Sequence, residues 1–123
     1  MKALIVDDDP DSIALLGAHL EALGCDVHAS ENPREAVEYY ERLLPDVVFM
    51  DIGMSFPGGF IATQNVRHSA KKLGRKVVVI MYTGNKDPES VQKAKSFGAS
   101  DYMVKPVTRE LVREKLKRFF PSL

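Results

Sequence analysis

The sequence predicts a doubly wound α/β fold in which five parallel strands alternate with five helices. Three continuous apolar runs of strand length, at 3–6, 47–50 and 77–81, indicate strands that are covered on both faces. Segments with helical hydrophobic spacing follow these runs, and the links between them are short. The length of 123 residues fits one domain. We therefore expect a single parallel sheet with helices on both of its faces.

The remaining elements follow from weaker local signals. Segments 25–29 and 101–104 have mixed polarity and are predicted to be edge strands. The spacing of Ile13, Leu16, Leu20 and Leu23 predicts a first helix that ends at Gly24. Asn32 and Pro33 predict the start of a second helix, and Gly74 and Gly98 predict the ends of helices over 60–72 and 88–97. Thr108 is the predicted N-cap of the last helix. The inward-facing residues of that helix are Val112, Leu116, Phe119 and Phe120.

Composition excludes several classes of protein. Cys25 is the only cysteine, so a disulfide scaffold is excluded. No apolar run approaches the roughly 20 residues that a bilayer requires, and the N-terminus lacks the basic flank and apolar stretch of a secretory signal. We therefore expect a cytoplasmic protein without a membrane contact.

The net charge of zero conceals two opposed halves. Residues 1–51 hold 12 acids and 3 bases, whereas residues 52–123 hold 5 acids and 14 bases. Much of the basic excess lies on or beside the predicted fourth and fifth helices, at Lys93, Lys95, Arg109, Arg113, Lys115, Lys117 and Arg118. This distribution predicts a basic surface that meets an acidic partner.

Chemically useful side chains follow four of the predicted strands. The strands are followed by Asp7-Asp8-Asp9, Asp51, Thr83-Gly84 and Lys105-Pro106. Ligands in such sheets bind beyond the carboxyl ends of the strands. Clustered carboxylates repel one another, and a hard cation such as Mg²⁺ relieves that repulsion. A carboxylate beside Mg²⁺ can attack phosphorus, while an ammonium, a hydroxyl and a backbone N–H, here those of Lys105, Thr83 and Gly84, can stabilise the phosphoryl oxygens.

Over nearly its full length the chain resembles a response-regulator receiver domain of two-component signalling, similar to the chemotaxis regulators. The resemblance rests on four ordered blocks, Ile5-Val6-Asp7-Asp8, Val48-Phe49-Met50-Asp51, Tyr82-Thr83-Gly84 and Gly98-Ala99-Ser100-Asp101-Tyr102-Met103-Val104-Lys105-Pro106. It implies one receiver domain over 1–123, with the flavodoxin-like strand order 2-1-3-4-5. It also implies a cis peptide bond between Lys105 and Pro106.

The resemblance implies a role for each matching residue. Asp51 would accept a phosphoryl group from a phosphohistidine, so the chain would be a phosphoacceptor switch and not a turnover enzyme. Mg²⁺, or Mn²⁺ in its place, would bind Asp8, Asp51 and the backbone carbonyl of Gly53, with Asp7 acting through water. Thr83 would follow the phosphoryl group inward, and Tyr102 would change rotamer with it.

The implied partners are proteins. A sensor histidine kinase or a histidine phosphotransfer protein would supply the phosphoryl group, and a downstream protein or a fused output domain would read the switch through helix four, strand five and helix five. Dimers through helices four and five occur in the family, and the sequence leaves the oligomeric state open. The basic cluster Lys71, Lys72, Arg75 and Lys76 lacks interleaved aromatics, so we expect a solvated surface without direct nucleic-acid binding.

The loop after Asp51 departs from the family pattern. Ser55 occupies a position where a proline is common, and Pro57 comes two residues later, whereas Gly59 keeps the usual glycine. Met54 and Phe56 are expected to pack over the start of the next helix, with a partner contact as the alternative. Gly53 and Asn85 flank the expected phosphoryl position, and because Gly53 has no side chain to orient water, the phosphoryl lifetime stays open.

The acidic residues also admit rival interpretations. Asp9 is expected to cap the first helix ahead of Pro10 and not to bind metal. A haloacid-dehalogenase-like phosphatase would explain Asp7 and Asp9 as a D-x-D pair, but it lacks the acidic motif after the lysine and leaves Asp51 unexplained. A receiver-like adaptor that is never phosphorylated is the non-enzymatic rival, and the complete set Asp8, Asp51, Thr83 and Lys105 argues against it.

Overall fold

A computed structural model describes residues 1–54, 58–84 and 88–123. Five strands and five α-helices alternate along the chain. The strands are β1 (Lys2–Val6), β2 (Asp26–Ser30), β3 (Val47–Asp51), β4 (Val78–Thr83) and β5 (Asp101–Val104). The helices are α1 (Pro10–Ala22), α2 (Ala36–Leu43), α3 (Gly58–Lys72), α4 (Pro88–Ser96) and α5 (Arg109–Phe119). In the part of the chain that is described, no helix combines the length and apolarity needed to span a bilayer.

The strands form one parallel sheet in the order β2-β1-β3-β4-β5. The predicted fold and strand order are therefore confirmed, and the two weaker strands do lie at the edges. Val6 pairs with Met50 and Asp51 pairs with Tyr82, so the strands end at nearly the same level. This register brings the loops that follow β1, β3, β4 and β5 to one rim of the sheet.

Two apolar cores lie on opposite faces of the sheet. Strand residues alternate between the faces, so Leu4 and Val6 of β1 face α2, α3 and α4, whereas Ala3 and Ile5 face α1 and α5. All four of these β1 side chains have no exposed surface. Burial on both faces explains why the central strands read as continuous apolar runs and not as alternating patterns.

Side-chain caps begin three helical segments at the predicted places. The carboxylate of Asp9 accepts from the backbone N–H of Asp11 at 3.0 Å, and Thr108 Oγ1 accepts from Leu111 N at 3.1 Å. Asn32 also caps as predicted, but its first turn, Pro33–Glu35, is a 3₁₀ helix that leads into α2. Proline at the first helical position is compatible with an α-helix and with a 3₁₀ helix, because its fixed φ suits both.

Sheet order separates the two charged halves in space. The strands of the acidic half, β1, β2 and β3, lie on one side of the sheet, and β4 and β5 of the basic half lie on the other. Part of the basic excess is neutralised within the fold, because Lys115 and Arg118 both pair with Asp101, at 3.1 and 3.0 Å. The exposed cations Lys95, Arg113 and Lys117 remain on α4 and α5.

Candidate functional site

Asp7, the first residue after β1, is the most buried carboxylate at the rim. Its residue has no exposed surface, and its backbone N–H donates to Ser30 O at 3.1 Å, which extends the β1–β2 pairing by one residue. Its Oδ1 accepts from the backbone N–H of Asp9 at 2.9 Å. Asp8 is exposed. One position in the chain therefore separates a buried, fixed carboxylate from one that faces solvent.

Asp51 is the last residue of β3 and retains only 5% of its exposure. Its Oδ1 accepts from the backbone N–H of Gly53 at 3.1 Å, which turns the chain after the strand. The next residue, Ile52, donates its backbone N–H to Tyr82 O at 3.0 Å. Backbone hydrogen bonds on both sides of Ile52 thus fix the chain at Asp51.

Lys105, the first residue after β5, joins the two buried carboxylates. Its Nζ lies 3.4 Å from Asp51 Oδ1 and 3.3 Å from Asp7 Oδ2. The backbone N–H of Lys105 donates to Thr83 O at 2.7 Å, which anchors the lysine beside the end of β4. The Lys105–Pro106 peptide bond is cis, as predicted.

Tyr82 is a site residue that sequence reasoning missed. Its ring is buried between the sheet and the α1–α5 face, and its hydroxyl donates to Asp7 Oδ2 at 2.6 Å. Lys105 Nζ lies 4.8 Å from the centre of the ring. The available signal was a tyrosine, with its polar hydroxyl, directly after the apolar run at 77–81.

Burial and like charge perturb the acidity of the site. Burial raises the pKa of Asp51 to about 6, with a further rise from Asp7 and opposing effects from the Gly53 N–H and Lys105. Burial also raises the pKa of the Tyr82 phenol, and the hydrogen bond to the Asp7 carboxylate adds to this shift. Tyr82 is therefore a neutral hydrogen-bond donor at every physiological pH.

Three carboxylates converge closely enough to hold a cation. Among the described residues, Asp7, Asp8 and Asp51 each offer an oxygen, and these oxygens lie within 4.8 Å of one another. An all-oxygen donor set with one exposed member fits a hard divalent cation that keeps several waters, such as Mg²⁺. Cysteine and histidine are absent from the cluster, which makes it a poor fit for a softer metal.

Of the other predicted residues, Thr83, Gly84 and Gly53 lie at the same rim, whereas Tyr102 lies within β5 and pairs with Met81 of β4. Thr83 is buried at the end of β4, and Gly84 is exposed just beyond it, where an added Cβ would meet nothing within 4 Å. Gly53 is exposed, and Tyr102 is half-buried on β5, with Lys115 Nζ 5.9 Å from its ring centre. Predictions for Ser55, Phe56, Pro57 and Asn85 fall outside the described residues.

Met54, in the loop after Asp51, and Gly59, in the first turn of α3, have structural roles. Met54 is 7% exposed and belongs to the core beneath α2, α3 and α4, so packing and not partner contact explains it. Gly59 lies against the backbone at Asp51, because a Cβ at this position would overlap the Asp51 carbonyl oxygen, 2.1 Å away. The glycine lets the first turn of α3 approach the end of β3.

Comparison with known proteins identifies this arrangement. The chain is 37% identical to Protein PilH of Pseudomonas aeruginosa over 109 residues. This aligned region covers 89% of this chain and 88% of PilH. It is also 30% identical, over 94% of its length, to the sensor kinase/phosphatase CqsS of Vibrio cholerae. The chain spans only 17% of CqsS.

Solved structures share the whole fold. The chemotaxis protein CheY4 of Vibrio cholerae superimposes with a TM-score of 0.86 at 28% identity, covering 95% of this chain and 96% of that one. The receiver domain of Saccharomyces cerevisiae Ssk1, solved with the histidine phosphotransfer protein Ypd1, gives a TM-score of 0.86 at 25% identity and covers 95% and 86% of the two chains.

The family described as response regulator receiver domain matches residues 3–117, which include every rim residue described above. Its members pair with histidine kinases and phosphotransfer proteins and are typically phosphoacceptors without an enzymatic activity of their own. This chain belongs to the response regulator receiver domain family.

Proposed function

We propose that this chain, as one receiver domain over 1–123, is a phosphoacceptor switch in which Asp51 takes a phosphoryl group from a partner's phosphohistidine. The observation that carries the proposal is the position of Lys105, whose ammonium lies 3.4 Å from Asp51 and 3.3 Å from Asp7. A cation between two buried carboxylates suits a site where negative charge will increase. The rival adaptor role gives no reason to bury this arrangement.

The proposed transfer is a displacement at phosphorus. A carboxylate oxygen of Asp51 forms the new P–O bond, the P–N bond of the donor breaks, and its electron pair stays on the imidazole nitrogen. Lys105 pairs with a phosphoryl oxygen, Thr83 donates its hydroxyl to another, and the Gly84 N–H is available to a third. The exposed, side-chain-free positions of Gly53 and Gly84 leave room for the donor to approach.

The proposed metal is Mg²⁺, with Mn²⁺ as a substitute. Asp8, Asp51 and the Gly53 carbonyl would hold the ion directly, and Asp7 would hold it through water. When bound, Mg²⁺ withdraws charge from the phosphoryl oxygens. The carboxylates of this chain would orient the ion, which would relieve their mutual repulsion; repulsion from Asp7 adds to the effect of burial in raising the pKa of Asp51.

Phosphorylation would then change the surface formed by α4, β5 and α5, which a partner would recognise. The new charge, about 1.5–2 units by analogy with phosphorylated hydroxyls, draws Thr83 and Lys105 toward Asp51. Tyr102 lies half-buried beside Lys115, and the space that Thr83 vacates would let it turn inward. This shift would bias α4, β5 and α5 between two packings.

The proposed donor is a sensor histidine kinase or a histidine phosphotransfer protein. The likeness to Ssk1, whose receiver domain was solved with Ypd1, supports a donor of the second kind. The proposed reader is an acidic protein surface or a fused output domain, because Lys95, Arg113 and Lys117 are exposed on α4 and α5. Loss of affinity with rising salt is expected for that contact, and salt-independent binding would contradict it.

Phosphorylation is tested by mass spectrometry after incubation with acetyl phosphate and Mg²⁺. We expect a mass increase of one phosphoryl group that requires Mg²⁺ and disappears in Asp51→Ala. The matched control is Asp46→Ala, an exposed aspartate before β3, which should label normally. Full labelling of Asp51→Ala would refute the assignment of the phosphoacceptor.

A further inference from the structure

We infer that Tyr82 is a positioning residue for the metal site, because its hydroxyl fixes the Asp7 carboxylate from within the core. The inference rests on the proposed function, since it concerns Mg²⁺ binding at that site. Tyr82 stands in the block Tyr82-Thr83-Gly84, but the family resemblance gives its side chain no role. The donors that surround Asp7 support this role.

Among the described residues, Asp7 has three donors, and they differ in how firmly they are held. Its Oδ1 accepts from Asp9 N at 2.9 Å, whereas its Oδ2 accepts from Tyr82 Oη at 2.6 Å and lies 3.3 Å from Lys105 Nζ. The Tyr82 contact is the shortest of the three and is fully buried. Short hydrogen bonds to a carboxylate are among the strongest in proteins.

Of the two donors to Asp7 Oδ2, which are Tyr82 and Lys105, Tyr82 has less freedom to move. Its ring is 1% exposed and belongs to the core that α1 and α5 form on the sheet. The lysine side chain, in contrast, is 26% exposed and has alternative partners in Asp51 Oδ1 and, at 3.4 Å, Ser12 Oγ. Both residues line a cleft of about 330 Å³ between α1 and the turn after β5, which gives the lysine space to move.

This difference matters when Lys105 is drawn to another anion. A buried carboxylate left without a donor is costly. The Tyr82 hydroxyl keeps Asp7 Oδ2 satisfied after the ammonium leaves, so Asp7 retains its orientation toward the cation site. Groups that hydrogen-bond to the residues around a metal typically contribute 10–100-fold to its affinity. We therefore expect Tyr82 to set the Mg²⁺ affinity while taking no part in the transfer itself.

The test compares Tyr82→Phe with Tyr40→Phe. Both tyrosines are buried, and within the described part of the chain the Tyr40 hydroxyl has no hydrogen-bond partner, so its removal controls for loss of a buried hydroxyl. Mg²⁺ affinity is measured by titration calorimetry, and folding of each variant is checked by urea unfolding. We expect the Kd for Mg²⁺ to rise about tenfold in Tyr82→Phe and to stay unchanged in Tyr40→Phe.

Labelling with acetyl phosphate supplies a second readout. In Tyr82→Phe the Mg²⁺ concentration for half-maximal labelling should rise about tenfold, whereas the rate at saturating Mg²⁺ should stay within about twofold of the wild type. An unchanged Kd in Tyr82→Phe, or an equal rise in both variants, would overturn the inference and leave the proposed function standing. Failure of the wild type to bind Mg²⁺ would overturn both.

Discussion

Lys105 Nζ lies 3.4 Å from Asp51 Oδ1, although 54 positions separate the two residues in the sequence. The same ammonium also contacts Asp7, so one cation serves two buried carboxylates. The side chain is only partly exposed, which reduces solvent screening of these contacts. One ammonium is thus in place to meet a phosphoryl oxygen, while the three carboxylates beside it call for a bound cation.

Lys105→Gln should separate phosphoryl stabilisation from metal binding. Labelling by acetyl phosphate at saturating Mg²⁺ should slow by about 100-fold, because a donor to the developing charge is lost. Mg²⁺ affinity should not fall, since an ammonium that repels the incoming cation is removed. Lys117→Gln, on the exposed face of α5, is the control. Equal labelling rates in the two variants would refute the role of Lys105.

Stability of the metal-free protein should depend on pH through Asp51. Its pKa is about 6 in the folded state against an ordinary value of 3.8, so the folded protein holds this proton more tightly than the unfolded chain does. The resulting stabilisation is fully present below pH about 4 and is lost as the pH rises through about 6, and it amounts to at most about 3 kcal/mol.

The measurement is urea unfolding in EDTA between pH 4 and 7, with Asp51→Asn as the reference. The stability of the wild type should fall relative to the variant over this range, because the asparagine does not titrate. Millimolar Mg²⁺ should flatten the decline, since the ion favours the ionised carboxylates. A pH-independent difference between the two proteins would show that Asp51 keeps an ordinary pKa.

Asp8→Ala should remove the response to Mg²⁺ without destabilising the metal-free protein. Asp8 is exposed, so its loss should change the free energy of unfolding by no more than about 0.5 kcal/mol. The wild type should gain about 1.4 kcal/mol when Mg²⁺ is tenfold above its Kd, seen as a rise in Tm of several degrees. Asp11→Ala, also exposed, should keep that rise. An equal rise in Asp8→Ala would exclude Asp8 as a ligand.

Asp9→Ala tests the capping role of the third acid in the run. Its carboxylate accepts from Asp11 N at 3.0 Å and from Ser12 Oγ at 3.1 Å, so removing it should lower stability by about 1 kcal/mol. Thr108→Ala removes the cap of α5 and should cost a similar amount. The Mg²⁺-dependent rise in Tm should survive in both variants, and its loss in Asp9→Ala alone would instead make Asp9 a metal ligand.

Gly59→Ala should destabilise the protein through a backbone clash. The new methyl group would lie 2.1 Å from the Asp51 carbonyl oxygen and 3.1 Å from Ile52 Cα, neither of which can move without shifting the end of β3. We expect a loss of about 2 kcal/mol or more. Gly17→Ala is the matched control, because its Cβ meets side chains only at 3.8 and 3.9 Å and should stabilise α1 by about 0.5–1 kcal/mol. A neutral Gly59→Ala would contradict the close approach.

Much of this protein could be predicted because local chemistry governs it. Apolar runs require cover on both faces, which led to the parallel sheet, and the caps at Asp9, Asn32 and Thr108 depend on neighbours within three residues. The rim followed from the rule that parallel strands share a carboxyl edge. Each of these inferences needs the order of residues and no knowledge of distant packing.

Only the tertiary structure decided how the rim side chains divide their contacts. Asp7 and Asp8 are identical neighbours, yet one is buried and the other exposed, because Asp7 still pairs with Ser30 of β2 and contacts the core residue Tyr82, whereas Asp8 lies beyond the strand. The bond from Tyr82 to Asp7 joins residues 75 positions apart, and Asp101 takes two of the cations expected on the free surface of α5. Whether a hydrogen bond or an ion pair forms depends on differences of tenths of an ångström in the distance between its two atoms. The packing of the helices on the sheet sets these distances. Residue types and their spacing along a short segment do not determine that packing.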